Sequence, residues 1–374
     1  MELTITRKAF LRALARTAPV ADRKSSMPIL SNILLRTDGP KTLRLAATDL
    51  YLSMSCAAEA EIRRPGTVSL CARTLFDIVK NLPDSDVSLD VGDNCAAELR
   101  CGKVRFKVPG MPGQNFPALP QPGDSAFFEL DAERLFRLTA LTYYSMSTDE
   151  TRPHLAGALL EGVEGTVRMV TTDGHRLSKA EYQHTEDPEE AHLSFVMLVP
   201  NKGVTELRRL LDEVRGEDGA LIEVNQTKGS AFFRHGETLM SVKLAEDAFP
   251  PYSKVIPDKH SRRVVVGRHM LIDAIKRISL VANDKSGAVR FTLQPGTLRL
   301  TGENPELGEG AEEIDVDFAG TKVEIGFAGR YALDPLHAIT EDEVALELGG
   351  PLDPGVIRPV GPTDFIGVIM PMRI

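Results

Sequence analysis

A unit of about 60 residues recurs six times along the chain, and a repeat of that regularity restricts the architecture more than any single residue can. Its copies open at Leu3 (LTITRKAFLRAL), Val68 (VSLCARTLFDIV), Phe128 (FELDAERLFRLTAL), Phe195 (FVMLVPNKGVTELRRLL), Val264 (VVVGRHMLIDAIKRI) and Val323 (VEIGFAGRYALDPLHAI). In each, a few residues of alternating or β-rich character pass into a stretch with apolar residues at i, i+3, i+4 and i+7. That pattern predicts a strand followed by an amphipathic helix. A second motif, a strand running into a polar turn, appears at half the frequency: Leu43 to Leu50, Val167 to Gly174 and Leu298 to Pro305. Its copies start 124 and 131 residues apart, so the six units group as pairs into three similar domains of ordinary size.

The expected domains are 1–123, 124–256 and 257–374, because the joints fall where composition changes. Gly110 to Gly123 (GMPGQNFPALPQPG) and Phe249 to Lys259 (FPPYSKVIPDK) are rich in Pro and Gly and read as domain ends with linkers. Phe365 to Ile374 (FIGVIMPMRI) ends the third domain. The fold class is α+β, with each domain a pair of strand-helix-strand units.

No apolar run approaches 18 residues and no charged-then-apolar leader opens the chain, so a cytoplasmic protein with no membrane association is expected. The four cysteines, Cys56, Cys71, Cys95 and Cys101, all lie in the first domain and match no zinc spacing, so free thiols and no metal are expected. Gly-x-Ser-x-Gly, P-loop, Gly-x-Gly-x-x-Gly and His-Glu-x-x-His signatures are missing, so neither a cofactor nor a catalytic residue is predicted. Thr172-Asp173-Gly174-His175-Arg176 gathers an acid, a potential base and a cation. An Asp-Gly pair after a β-rich run reads as a turn or binding surface, because adjacent turn residues seldom converge on one substrate atom. An enzyme built on His175 and Asp173 is the competing class, and it would lose turnover in His175→Ala.

The formal net charge is −9, which by itself argues against nucleic-acid binding. The distribution says otherwise: the six predicted helices together sum to +9, leaving −18 for the rest. Within the first helix, Lys8, Arg12 and Arg16 follow one another at i+4 as a basic stripe, with Phe10, Ala13, Leu14 and Thr17 roughly opposite. One such stripe is an ordinary solvated face. A set of them on one surface would attract phosphate while the remainder repelled it.

Several segments, taken in order, resemble the bacterial DNA polymerase III beta subunit family, the replicative sliding clamps, over essentially the whole length. They are Pro28-Ile29-Leu30 with Asn32 and Ile33 to Leu35, Ala47-Thr48-Asp49-Leu50, Thr172 to Leu177, Phe249-Pro250 with Tyr252, Asn304-Pro305-Glu306 and Met370-Pro371-Met372-Arg373. The resemblance implies three DNA-clamp domains per chain and a head-to-tail homodimer closed into a six-domain ring, helices inside and sheets outside. Twelve helices at about 10 Å spacing would enclose a hole of about 28 Å, wider than a B-form duplex. A closed ring retains DNA by topology, so direct contacts can be weak, sequence-blind and salt-screened. No chemistry is needed, and the expected role is a processivity factor, not an enzyme.

The residues expected to face double-stranded DNA are Lys8, Arg12, Arg16, Arg73 and Lys80, then Arg134, Arg137, Lys202 and Arg209, with Arg23 and Lys24 on the loop after the first helix. The resemblance puts a DNA-contacting basic residue at Lys24. It fails at Pro153-His154, where some family members carry an aromatic pair that touches DNA.

The resemblance also implies one hydrophobic pocket for short clamp-binding peptides. Carried over position by position, its wall takes Leu155, Thr172, Gly174, His175, Arg176 and Leu177, then Pro250, Lys254 and Val255, and finally Val368, Ile369, Met370, Pro371, Met372 and Arg373. Methionine suits a groove that accepts several ligands, although Met370 and Met372 would otherwise read as an ordinary core strand. Lys254 stands where an arginine is familiar, which keeps the charge and loses the planar fork.

Ring closure should bring Phe106 and Val108, on the alternating strand Lys103 to Val108, near Leu280 and Val281 of the partner copy. The implied partners are a second copy, duplex DNA, the DNA polymerase III alpha subunit, a clamp loader that supplies the ATP chemistry this chain lacks, and other polymerases and repair proteins. A specialised duplicate clamp with altered partner binding would carry nearly the same sequence and is the alternative.

Overall fold

The computed structural model describes residues 1–123, 126–149, 151–184, 193–257, 261–282, 287–361 and 364–373. The expected domain-boundary residue 124, linker positions 258 and 259, and the terminal residue 374 lie outside them. Among the described residues six α-helices follow directly on strands: α1 (Arg7–Thr17), α2 (Ala72–Asn81), α3 (Ala132–Thr142), α4 (Asn201–Val214), α5 (Arg268–Ser279) and α6 (Gly329–Ala338). Every strand pairing within the sheets is antiparallel, as short hairpin connections allow. No helix among the described residues is long and apolar enough to cross a membrane.

The chain forms two compact units, Met1–Ala132 with Arg209–Leu244, and Glu133–Arg208 with Ala245–Ile374. In the first, a five-stranded sheet runs in the order Glu61–Arg64, Glu2–Thr6, Asp86–Val91, Ala97–Cys101, Val104–Val108. A nine-stranded sheet joins the first domain to part of the central region by pairing Leu52–Glu59 with Thr238–Lys243, Met54 opposite Met240. Helix α1 packs on α2 and turns Phe10, Ala13, Leu14 and Thr17 inward, the face predicted from its periodicity. Thr6 begins it, its hydroxyl accepting the Ala9 N–H at 3.2 Å.

The second unit repeats the plan. An eight-stranded sheet is closed at its centre by Arg176–Gln183 pairing with Phe365–Ile369, and a four-stranded sheet carries Gly308–Asp315 at one edge. Helix α5 packs on α6, and Phe291 meets Phe327 edge-on at 5.4 Å.

Two local devices recur. The first two of the three polar turns share one hydrogen-bond scheme: Thr48 Oγ1 accepts the Leu50 N–H while Asp49 Oδ1 accepts those of Tyr51 and Leu52. Likewise Thr172 Oγ1 accepts the Gly174 N–H, and Asp173 Oδ1 accepts those of His175 and Arg176. The third turn position is left-handed in both, at φ +91° for Gly174 and +76° for Leu50, where a leucine bears strain that glycine avoids. The Thr-Asp motif is therefore a turn-former, with the Thr Oγ1 and Asp Oδ1 atoms occupied by its own backbone.

The second device is an arginine at a helix start that serves the end of the neighbouring helix. Arg7, first in α1, donates to the carbonyls of Val79 (3.2 Å) and Lys80 (2.6 Å) at the end of α2. Arg268, first in α5, donates to the carbonyl of Leu336 (3.2 Å) in the last turn of α6 and to that of Glu341 (2.7 Å) three residues past its end. A cation there meets the negative helix terminus as well as unpaired carbonyls. Arg7→Ala and Arg268→Ala should each lower stability by about 1–2 kcal/mol in urea unfolding. Unchanged midpoints would remove the capping role.

Candidate partner-peptide pocket, basic face and edge strands

The proposed pocket residues from the central and terminal segments are brought together by one strand pairing. Arg176 stands opposite Ile369 and Leu177 opposite Val368, and beyond the ladder the Met370 N–H donates to the His175 carbonyl at 2.9 Å. The Met372 N–H continues to the Gly326 carbonyl at 2.8 Å, which fixes the Met-Pro-Met run against the four-stranded sheet. Leu159, Val170, Leu177, Val356 and Val368 form a buried cluster, and Phe249, Tyr252, Val255, Ile256 and Ile366 pack on it half-buried. Beside Val255 opens a cavity of ≈ 420 Å³ lined by Lys254, Val255, Pro257, Gly349, Asp353, Pro354 and Met370.

Of the residues expected in the pocket wall, Lys254, Val255 and Met370 line this cavity, and Gly349, Asp353 and Pro354 of the loop Gly349 to Pro354 add a side that sequence reasoning did not include. Its Gly-Gly-Pro run and the Asp353 carboxylate, which accepts the Gly350 N–H at 2.6 Å, mark a shaped turn and were the available signal. Gly174, His175 and Arg373 are exposed, and Pro250, Pro371 and Met372 are half-buried. Leu155, Thr172, Leu177, Val368 and Ile369 are buried and form the floor of the segment, not an open wall.

Arg176 departs from the expectation. Its side chain is 6 % exposed, donating to Asp173 Oδ2 (3.0 Å), Asp334 and the Tyr144 carbonyl (2.5 Å), with Tyr331 stacked 4.5 Å from the guanidinium carbon. A buried guanidinium whose three nitrogens each hold a partner within the chain is a structural centre more than an open wall. His175 stacks on the same Tyr331 at 6.5 Å.

The linker segment carrying Lys254 and Val255 is tied to the sheet by Tyr252. Its hydroxyl donates to Glu161 Oε2 at 3.0 Å and accepts from Arg168 Nη1 at 3.2 Å, while Phe249 meets its ring edge-on. Arg168 and Lys179 both reach Glu181, whose carboxyl lies below its usual range because those hydrogen bonds outweigh the opposing effect of burial. Burial first, and then Glu161, raise the Tyr252 phenol above its ordinary 10.0. With the folded value above the unfolded one, this tie is complete below about pH 10 and is lost as pH climbs through the folded value. Limited proteolysis within 252–257 should therefore accelerate above about pH 10, and Tyr252→Phe should show fast cleavage already at neutral pH. Equal cleavage of both proteins at neutral pH would rule the tie out.

The expected DNA-facing cations are scattered in their circumstances. Lys8, Arg23, Lys24, Arg73 and Lys80 are exposed, with Arg73 3.7 Å from Asp77 and Lys80 over the Phe76 ring. Arg134 donates to the Gln183 carbonyl and Arg137 to Glu341, each at 3.0 Å. Lys202 and Arg209 are exposed on α4, and Arg209 donates to the Arg16 carbonyl at 3.0 Å. Arg12 and Arg16 both bond Glu213. The sequence match of this repeat stops at Leu211, whereas α4 runs to Val214 and takes in Asp212 and Glu213, so that Lys202, Arg208 and Arg209 are balanced by Glu206, Asp212 and Glu213.

Of the four residues expected at ring closure, Phe106 is 41 % exposed and Leu280 75 % exposed. Val108 is buried within its own unit, because the strand's last residue turns to the core face while Val104 to Lys107 stay exposed. Val281 packs over Gly310, where an added Cβ would lie 2.9 Å from its methyl carbon. Val108 and Val281 are therefore intrachain packing residues. The two sheet edges differ in sign: Val104–Val108 carries Arg105 and Lys107, and Gly308–Asp315 carries Glu309, Glu312, Glu313 and Asp315.

Comparison with known proteins covers the whole architecture. The N-terminal, central and C-terminal domain models of the DNA polymerase III beta subunit match residues 1–120, 129–251 and 253–373. The chain is 35% identical to the beta sliding clamp of Caulobacter vibrioides and 34% identical to that of Pseudomonas putida, with 100% of each chain covered. Among solved structures it is similar to the Pseudomonas aeruginosa sliding clamp bound to griselimycin, at TM-score 0.93 and 32% identity over 100% of both chains. It is also similar to the DNA polymerase sliding clamp of Caulobacter crescentus, at TM-score 0.91 and 33% identity, again over 100% of both. With three clamp domains in order and relatives matched end to end, the chain belongs to the DNA polymerase III beta subunit family, the DNA sliding clamps.

Proposed function

We propose that two copies of this chain close head to tail into a ring around duplex DNA, and that the ring tethers the replicative polymerase and other DNA-processing proteins as a processivity factor. Such a clamp acts on DNA in the cytoplasm without a chemical step of its own, and a separate loader opens it. The end-to-end similarity to sliding clamps carries the reading. The two unpaired sheet edges support ring closure: a basic edge with exposed Phe106 and an acidic edge are complementary and offer free backbone groups to each other. Neither edge can pair with itself without opposing like charges, which favours a heterologous contact that closes.

The test is retention on nicked circular DNA with clamp loader and ATP, before and after the circle is linearised. Retention that is lost through free ends supports encirclement, and equal retention on both forms would refute it. Phe106→Ala should weaken the dimer by about tenfold in sedimentation, as expected for an apolar anchor at an interface centre. A dimer constant equal to the wild type would take Phe106 out of the interface.

Client peptides are assigned to the cavity beside Val255 and Met370, where apolar walls meet the single cation Lys254 and the carboxylate of Asp353. Met370→Ala should reduce the affinity of a clamp-binding peptide by about tenfold while leaving the dimer intact. Undiminished affinity would move the peptide site elsewhere.

A further inference from the structure

The basic stripe of α1 is not free. Arg16 holds Glu213 with two parallel bonds, Nε to Oε2 and Nη2 to Oε1, both 2.8 Å, and spends Nη1 on Thr238 Oγ1 at 2.7 Å. Arg12 Nε reaches the same Glu213 Oε1 at 2.8 Å, and its Nη2 lies 3.8 Å from Glu217. Arg16 is only 16 % exposed, Glu213 31 %, and Arg12 57 %. Among the described residues Lys8, one turn earlier on the stripe, enters no such ion pair.

We propose that Glu213, backed by Glu217, is a built-in counter-ion that withholds Arg12 and Arg16 from phosphate and so sets how weakly the clamp grips DNA. The inference rests on the clamp reading above.

Phosphate contacts gain affinity by releasing the counter-ions condensed on DNA, and the gain requires a cation that is available. An arginine already paired with a carboxylate must give up one anion to take another. Exchange of either arginine takes bonds from Glu213, and exchange of both leaves it unpaired near the DNA's own charge, so the net gain of each contact is reduced. A bidentate pair resists displacement more than a single contact does, which makes Arg16 the more firmly withheld. A simple tie between α1 and α4 does not need two arginines on one carboxylate, because Arg209 already donates to the Arg16 carbonyl at 3.0 Å. Glu213 stays ionised at neutral pH, the hydrogen bonds from Arg16 and Arg12 prevailing over partial burial. For a ring held on by topology, a weak grip lowers the friction of sliding without loss of retention.

The experiment is the salt dependence of binding to a labelled linear duplex by fluorescence anisotropy, from 50 to 200 mM salt, with the full-length protein. Each phosphate contact contributes about −0.9 to the slope of log K against log salt. Glu213→Gln should bind about tenfold more tightly at low salt, with a slope steeper by about 1–2. Arg12→Ala should leave the wild-type slope unchanged, yet remove about half of the gain when added to Glu213→Gln. Lys8→Ala should flatten the slope by about one.

An unchanged slope in Glu213→Gln would overturn the proposal, as would a flattening of about one in Arg12→Ala alone. So would an unchanged slope in Lys8→Ala, since the stripe would then not touch DNA. If Glu213→Gln melts early by circular dichroism, Arg12→Ala and Lys8→Ala decide the matter, because both side chains are exposed. Retention on nicked circles is measured alongside on the wild type. Failure there refutes the clamp, whereas failure of the slopes refutes only the counter-ion.

Discussion

The pairing of Arg176–Gln183 with Phe365–Ile369 is the constraint on which most of the second unit depends. Those backbone bonds hold the last segment of the chain against a hairpin nearly 190 positions earlier, and through Met370 and Met372 they carry the terminal Met-Pro-Met run past His175 to Gly326. A slip of one residue would turn Val368 away from Leu177 and dissolve the buried cluster that supports Tyr252 and Val255. Arg176, at the head of the ladder, locks the register from the side by gathering Asp173, Asp334 and the Tyr144 carbonyl around one buried guanidinium. The apolar floor, the hairpin and the linker are therefore parts of one arrangement.

The same economy governs the charges. Many of the arginines that composition alone would offer to a polyanion are spent within the protein: Arg7 and Arg268 on helix ends, Arg137 on Glu341, Arg12 and Arg16 on Glu213. Lys8, Arg23 and Lys24 are among the cations left exposed. A surface of that kind suits transient contact with a backbone that must keep moving.

The repeat, the six helix starts and the inward face of α1 were legible because period-2 and period-3.6 patterns leave their mark in a few consecutive residues. The turn character of Thr172 to Arg176 was legible for a similar reason, since threonine and aspartate bond their own local backbone. The orientation of single side chains was not. Phe106 and Val108 share a strand face by alternation, yet the strand's end turns Val108 to the core and leaves Phe106 in solvent. Arg176 entered the pocket wall through the resemblance alone, and its partner Asp334, 158 positions away, leaves no local signal that would have marked it as buried. The last turn of α4 was legible too, since the buried Val214 continues the period of Leu207, Leu210 and Leu211, but the helix was read only to Leu211, and Glu213 was left out with it.

Neither compact unit is a continuous stretch of polypeptide: the chain leaves the first at Ala132, returns at Arg209, and departs again after Leu244. On the ribosome this imposes an order of events. Leu52–Glu59 emerges early but must wait for Thr238–Lys243, and until then the growing nine-stranded sheet offers an apolar, unpaired edge to whatever is nearby. The nascent chain thus spends roughly half of its synthesis with an unfinished seam, the interval in which a holdase chaperone would have most to do.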